Sequence, residues 1–230
     1  PNLDRASARD DVRAAVLAAN AHNAQPWRFR VTTERIDLFA DTSRNIGAMD
    51  PLRREMDISL GCAIENLVLA GPPNGLAPTV SLLPSAADPT HIARVDLEPT
   101  NPSASPLFAA IPARHTNRGD YDSRRPVSRE QLNALTGLVD APDTQLVWFT
   151  SVKEKKAFGD LTIRATEAII ADPQQAPDDF ARYRTNWQDI QAAKDGVKID
   201  PSGPHALIRA SAGPRAVGKQ CNARWARLRV

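Results

Sequence analysis

The 230-residue chain carries 29 Lys and Arg against 27 Asp and Glu, and a net charge of +2 predicts no general attraction for nucleic acid or a membrane surface. Its two cysteines, Cys62 and Cys221, exclude a secreted disulfide framework, and no CxxC or Cys/His cluster has zinc-like spacing, so a reducing, cytoplasmic setting is expected. The longest apolar stretches, Ala63 to Ala70 and Leu146 to Phe149, fall well short of the roughly 20 residues that span a bilayer, and Pro1 to Arg13 lacks the apolar core of a signal peptide.

In chain order, Ser7 to Asn20 is predicted as a helix. Ser7 with Asp10 resembles a capping box, and Val12, Val16 and Leu17 recur at helical spacing. Trp27 to Val31 and Ile36 to Phe39 are β-type runs separated by polar residues, which predicts a hairpin. In Arg53 to Ala70 the apolar residues Met56, Leu60, Ala63, Ile64, Leu67 and Val68 form one helical stripe that GPPNG then stops. Thr79 to Leu83 and Ile92 to Leu97 read as a second strand pair, and the Pro-rich stretch from Pro99 to Pro106 as a linker.

Beyond the linker a short helix near Leu107 to Ile111 leads into a basic loop, Arg114 to Arg125. Ser128 and Gln131 form a second capping-box signature, opening a helix through Leu135 and Leu138. Gln145 to Thr150 is predicted as a strand. A helix from about Ser151 follows, with Phe158, Leu161 and Ile169 on its apolar face, and another spans about Asp178 to Ala193. The last thirty residues have no sustained period and six basic residues from Arg209 onward without one Asp or Glu. The expected divisions are therefore 1–105, 106–200 and an irregular basic tail over 201–230.

Two segments offer chemistry. Ala21-His22-Asn23-Ala24-Gln25-Pro26-Trp27 lies between a predicted helix and strand, where a ligand loop would sit. Ala21 and Ala24 permit close approach of a planar ligand, and Asn23 and Gln25 can donate and accept hydrogen bonds. The same residues also suit a helix end followed by a Pro-initiated strand. In Arg114-His115-Thr116-Asn117-Arg118, with Tyr121 behind, two guanidinium groups four residues apart flank a hydroxyl, which suits a phosphate plus a second electron-rich group. A solvated basic loop is the alternative. Gly213 to Lys219 fits GxxxxGK, but Gln220 stands where a Ser or Thr is required. His22, His91, His115 and His205 show no metal-ligand pairing, and no GxSxG elbow is present.

The run AANAHNAQPWRF resembles the SPSxxNxQPW segment of the nitroreductase family, and RHTNRGDY resembles that family's RRSxRxF/Y segment. Their order is the reverse of an ordinary nitroreductase. It is similar to that of the Acg-like homologues of mycobacteria and relatives, in which two nitroreductase halves are fused. DPLRREMDISLGCAIENLVLAG is similar to the family's long central helix, and Trp187-Gln188-Asp189-Ile190 and Asp195-Gly196-Val197 to the corresponding part of that branch. The resemblance covers about residues 10 to 200. It implies an α+β nitroreductase-like fold, a mainly antiparallel sheet flanked by helices, in two related fused halves. The second half is expected to be incomplete, because the Arg-rich tail does not look like the family's continuation.

Carried over, the resemblance implies FMN as cofactor. Arg114 and Thr116 would hold its phosphate and ribityl end, with His115 nearby, and Arg118 would lie by the pyrimidine edge of the ring. Ala21, His22, Asn23 and Gln25 would approach from the other half. The family's chemistry implies an NAD(P)H-dependent oxidoreductase that reduces a nitroaromatic or quinone-type small acceptor, with the nicotinamide stacked on the flavin. Such a protein would be a pseudo-dimeric monomer or a homodimer. The fused branch, in which a lid covers the flavin, implies the alternative of an FMN-sequestering protein without turnover. A cationic tail contacting nucleic acid is a third, weaker reading.

Overall fold

The computed structural model describes residues 5–116, 121–122, 124–139 and 141–198. The sheet comprises β1 (Trp27–Val31), β2 (Arg35–Ala40), β3 (Leu76–Leu82) and β4 (His91–Pro99), in the order β1-β2-β4-β3 with every neighbouring pair antiparallel. Residues of alternating strand positions point to opposite faces. Ile36, Leu38 and Ala40 therefore join Ala93, Val95 and Leu97 on one buried face.

That face is covered by α1 (Arg5–Ala15) and α2 (Arg54–Ala70). On α2, Met56, Leu60, Ala63 and Leu67 fall at alternating spacings of four and three, the stripe that a 3.6-residue period keeps on one side. Each large aliphatic side chain withdrawn from water in this core contributes about 2 kcal/mol. The residue that precedes α2, Arg53, supplies no side-chain cap. Buried Asp50 does so from further back, accepting from the Met56 amide at 3.0 Å.

The opposite face of the sheet is polar but organised. Asp37, almost wholly buried, receives His91 Nε2 at 3.0 Å, Arg94 Nε at 3.3 Å and approaches Arg35 Nε at 3.4 Å. The Phe39 ring stacks on His91 at 4.5 Å and lies beneath the Arg30 guanidinium at 5.2 Å.

The expected hairpin, the α2 helix and the second strand pair are present, within a few residues of their predicted bounds. Other expectations are corrected. α1 stops at Ala15, not Asn20: tight bonds from Leu17 N to Ala14 O and Ala18 N to Ala15 O close it. It is already helical at Arg5, so Ser7 lies inside it and not at its cap.

After β4, α3 (Pro106–Ala110) and a turn over Ile111–Ala113 precede the basic loop. α4 (Arg129–Thr136) opens with the expected Ser128 and Gln131 capping box, but it ends before Leu138, which is exposed. Residues 145–150 form no strand, since among the described residues no neighbour supplies a ladder. Instead Trp148 Nε1 donates to Thr136 Oγ1 at 2.9 Å, and Phe149 stacks on Phe158 of α5 (Val152–Ala171) at 5.4 Å.

The single helix predicted over 178–193 is interrupted. α6 (Gln175–Phe180) and α7 (Trp187–Ala193) are separated by β5 (Tyr183–Arg184), which pairs in parallel with β6 (Val197–Lys198). Asn186 forces the restart by accepting from the Asp189 amide at 2.9 Å, a cap in extended conformation. The tail over 201–230 and its GxxxxGK run lie outside the described residues. Among the described residues every buried side chain lies between Ala8 and Ile111, and no helix is long and apolar enough to cross a membrane.

Candidate functional site

The loop between α1 and β1 is strained. His22, Asn23 and Gln25 have φ of 50°, 52° and 54°, in the left-handed region that costs a non-glycine residue on the order of 1 kcal/mol or more each. The surrounding bonds hold it there. Ala21 N donates to Ser59 Oγ on α2 at 3.1 Å, Gln25 N to Asn20 Oδ1 at 2.8 Å, and Arg44 Nη1 to Ala24 O at 3.0 Å. Ala24 and Trp27 are buried beneath it, the His22 ring is largely covered, and Asn23 is exposed.

Residues 175–198 lie over this loop, attached through polar contacts. Gln25 Nε2 donates to Lys194 O at 2.7 Å, and Gly196 N donates to Asn23 O at 3.1 Å. Ala48 N donates to Asp178 Oδ2 at 2.7 Å, directly beside Gly47, and Arg182 Nη2 donates to Asn45 O at 2.6 Å. His22 Nδ1 is 3.5 Å from Asp179 Oδ1, too long for a good hydrogen bond, and its ring meets Tyr183 edge-on at 6.2 Å. Burial holds the Asp179 carboxyl above its ordinary value, while attraction to His22 acts in the opposite direction.

Asp195 ties the covering segment together. Its carboxylate receives Arg184 Nη2 at 2.6 Å and lies 3.6 Å from Arg44 Nη1 and 3.9 Å from Arg182 Nη1. Beside it a cavity of about 320 Å³ opens, walled by Asn23, Ile190, Gln191, Lys194 and Lys198 among others. It falls near the lower end of small-molecule sites, about 300 to 1,000 Å³. A second cavity, about 340 Å³, lies on the polar sheet face against Arg28, Arg30, Phe39 and Thr90.

The sequence-derived site residues separate into two groups. Ala21, His22, Asn23 and Gln25 are together in the strained loop, and Asn23 lines the cavity. Arg114, His115 and Thr116 are exposed after the Ile111–Ala113 turn. Arg114 reaches the same end of α1 as the loop, donating from Nη2 to Leu17 O at 3.3 Å. Neither cavity has both groups in its wall. Arg118 lies outside the described residues. Sequence reasoning missed Asp178, Asp179, Arg182, Arg184 and Asp195 as partners of the loop. For the first four the only local signal is an acidic pair followed by two arginines, which is equally a mark of a solvated surface, and Asp195 is marked only as part of the Asp195-Gly196-Val197 resemblance.

The chain matches no protein-family profile. It is 29% identical over 218 residues to two Mycobacterium tuberculosis proteins, from strains CDC 1551 and H37Rv, provisionally named NAD(P)H nitroreductases. The alignments cover 92% of this chain and 61% of each relative, so the chain spans about three fifths of their length. Among solved structures, similarity extends to a protein of Clostridium acetobutylicum provisionally described as an NADH oxidase, with a TM-score of 0.37, 16% identity and coverage of 56% of this chain and 90% of that one. A provisionally described NADH dehydrogenase/NAD(P)H nitroreductase of Parabacteroides distasonis gives a TM-score of 0.34, 15% identity and coverage of 56% and 88%.

Proposed function

We propose that this chain is the FMN-binding portion of an NAD(P)H-dependent oxidoreductase of nitroreductase type, acting on nitroaromatic or quinone-type acceptors, and that it belongs to the Acg-like branch with its two fused halves. One observation carries this reading. The segment that resembles the family's ring-contacting loop, Ala21 to Gln25, is the segment held in strained backbone geometry beside a cavity, and strain of this kind concentrates at functional sites. The 218-residue similarity to proteins named NAD(P)H nitroreductases agrees with it.

The residues present suit a flavin. Ala21 and Ala24 place no bulk on the loop, the Asn23 side chain has no hydrogen-bond partner among the described residues, and the exposed Arg114 offers a guanidinium to a phosphate. In this reading Arg114, His115 and Thr116 bind the phosphate end, and Arg118 neutralises charge at the pyrimidine edge. His22, Asn23 and Gln25 fix the ring's position. Bound FMN supplies the hydride chemistry. The chain's own part is to bind, orient and exclude water.

A second reading, FMN sequestration without turnover, is favoured by the covering segment, which already occupies the Asn23 carbonyl and the Gln25 amide. An anaerobic absorbance titration separates the two. Flavin bands in the purified protein that NADPH or NADH bleaches, and a nitroaromatic restores, support the oxidoreductase. Bands that neither donor bleaches favour sequestration, and a sample that takes up no added FMN overturns both.

A further inference from the structure

The cavity beside Asn23 is walled on one side by exposed donors that no described residue engages, so they are free to exchange water for a ligand. The amides of Asn23 and Gln191 and the ammonium groups of Lys194 and Lys198 make no hydrogen bond or ion pair with any described residue. The acidic group at the wall, Asp195, is already committed to Arg44, Arg182 and Arg184, so it leaves the lysines' charge uncancelled. Ile190 adds an apolar patch, and the backbone of Lys194 and Gly196 is fixed by its bonds to Gln25 and Asn23.

A pocket of fixed backbone, uncompensated positive charge and surplus donors is complementary to a group that only accepts hydrogen bonds and bears negative charge. We infer that this cavity is an anion subsite that takes the phosphate or carboxylate of a small-molecule substrate. Its description as a substrate subsite rests on the oxidoreductase reading, whereas the anion preference itself follows from the lining. Two sources share this chemistry: the phosphate of a nicotinamide dinucleotide, and the carboxylate of an aromatic acceptor. In either case Lys194 and Lys198 act as binding residues that hold the charged end, with Gln191 and Asn23 donating beside them.

The full chain is titrated by calorimetry at low salt with two matched pairs of probes. ADP-ribose is compared with 2′-phospho-ADP-ribose, and 4-nitrobenzyl alcohol with 4-nitrobenzoate. The subsite predicts at least tenfold tighter binding of the charged member in at least one pair, and the pair that responds identifies the source. A Lys194→Gln and Lys198→Gln double variant should abolish the preference while leaving binding of the neutral member unchanged. The single Lys198→Glu variant, on an exposed strand end, should do the same if the double variant folds poorly. Charged and neutral probes binding alike, no probe binding at millimolar concentration, or a preference intact in both variants would overturn the inference. Flavin absorbance recorded on the same samples keeps the two readings apart. Bound flavin without a charged-probe preference removes only the subsite, and the preference without flavin uptake removes only the flavin assignment.

Discussion

Replacing Asp11 with Asn should flatten the protein's pH dependence of stability. Asp11 sits on the core-facing side of α1 and is fully buried; its Oδ1 accepts from Asn74 Nδ2 at 2.6 Å, while Oδ2 has no partner among the described residues. Burial raises its carboxyl from the ordinary 3.8 to about 6, the Asn74 hydrogen bond opposes this and the charge of Asp10 adds to it. Because the folded value lies above the unfolded one, the favourable contribution is fully present below pH 3.8 and is lost as pH rises through 6. The full displacement corresponds to about 3 kcal/mol, of which about 2 kcal/mol is lost between pH 4.5 and 7.5.

Asparagine can keep the hydrogen bond from Asn74 and cannot ionise, so that loss disappears. Its own amide enters at the Oδ2 position without a partner, at a cost of about 1 to 3 kcal/mol that is the same at both pH values. The quantity to measure is therefore the change with pH in the stability difference between wild type and Asp11→Asn, from urea unfolding at pH 4.5 and 7.5. A shift of about 2 kcal/mol in favour of the variant at the higher pH is expected. A difference that stays constant across the two pH values would refute the assignment of a buried, proton-retaining carboxyl.

Three further substitutions test the site and the sheet. Gly47→Ala places a Cβ against Asp178 Oδ2, closer than atoms can approach, at a backbone φ of +68°, so it should expel Asp178 from the Ala48 amide and accelerate tryptic cleavage at Arg182 and Arg184. Unchanged cleavage would mean that Asp178 does not anchor the covering segment. Asp195→Asn weakens the bonds to three arginines, and losing about 2 kcal/mol of charge-assisted bonding should raise the same cleavage rate about 30-fold with little change in the global unfolding midpoint. Asp37→Asn leaves His91, Arg35 and Arg94 without their carboxylate on the polar sheet face and should cost about 3 kcal/mol in urea unfolding, a value below 1 kcal/mol arguing against a shared buried network.

What could be read from the sequence divides along physical lines. The α2 stripe and the alternation of β2 were legible because burial of one face imposes a local period. The strand order was not, since nothing local to His91–Pro99 states that it pairs with both β2 and β3. The run Gln145 to Thr150 is apolar and β-branched, yet it has no neighbour to pair with among the described residues, and propensity alone does not make a strand. The sequence from Asp178 to Ala193 predicts one helix, because the break depends on the single cap at Asn186 and on pairing with residues 197–198. The loop at His22 to Gln25 was legible through its resemblance, but its left-handed backbone at non-glycine residues was not. That geometry is imposed from outside, by Ser59, Arg44 and Gly196.

The central position of β4 has a consequence for how the chain reaches its native state. β1 and β2 can zip locally across residues 32–34, and β3 and β4 across residues 83–90. The ladder that unites these hairpins, Asp37 opposite Arg94 and Ile36 opposite Val95, can form only after about fifty intervening residues, α2 included, have been gathered into place. The entropy of closing that span is paid before any of its bonds forms, so the β2–β4 junction is expected to set the refolding rate. Core substitutions at Leu38 or Val95 should then slow refolding, whereas truncations confined to the tip of either hairpin should chiefly accelerate unfolding.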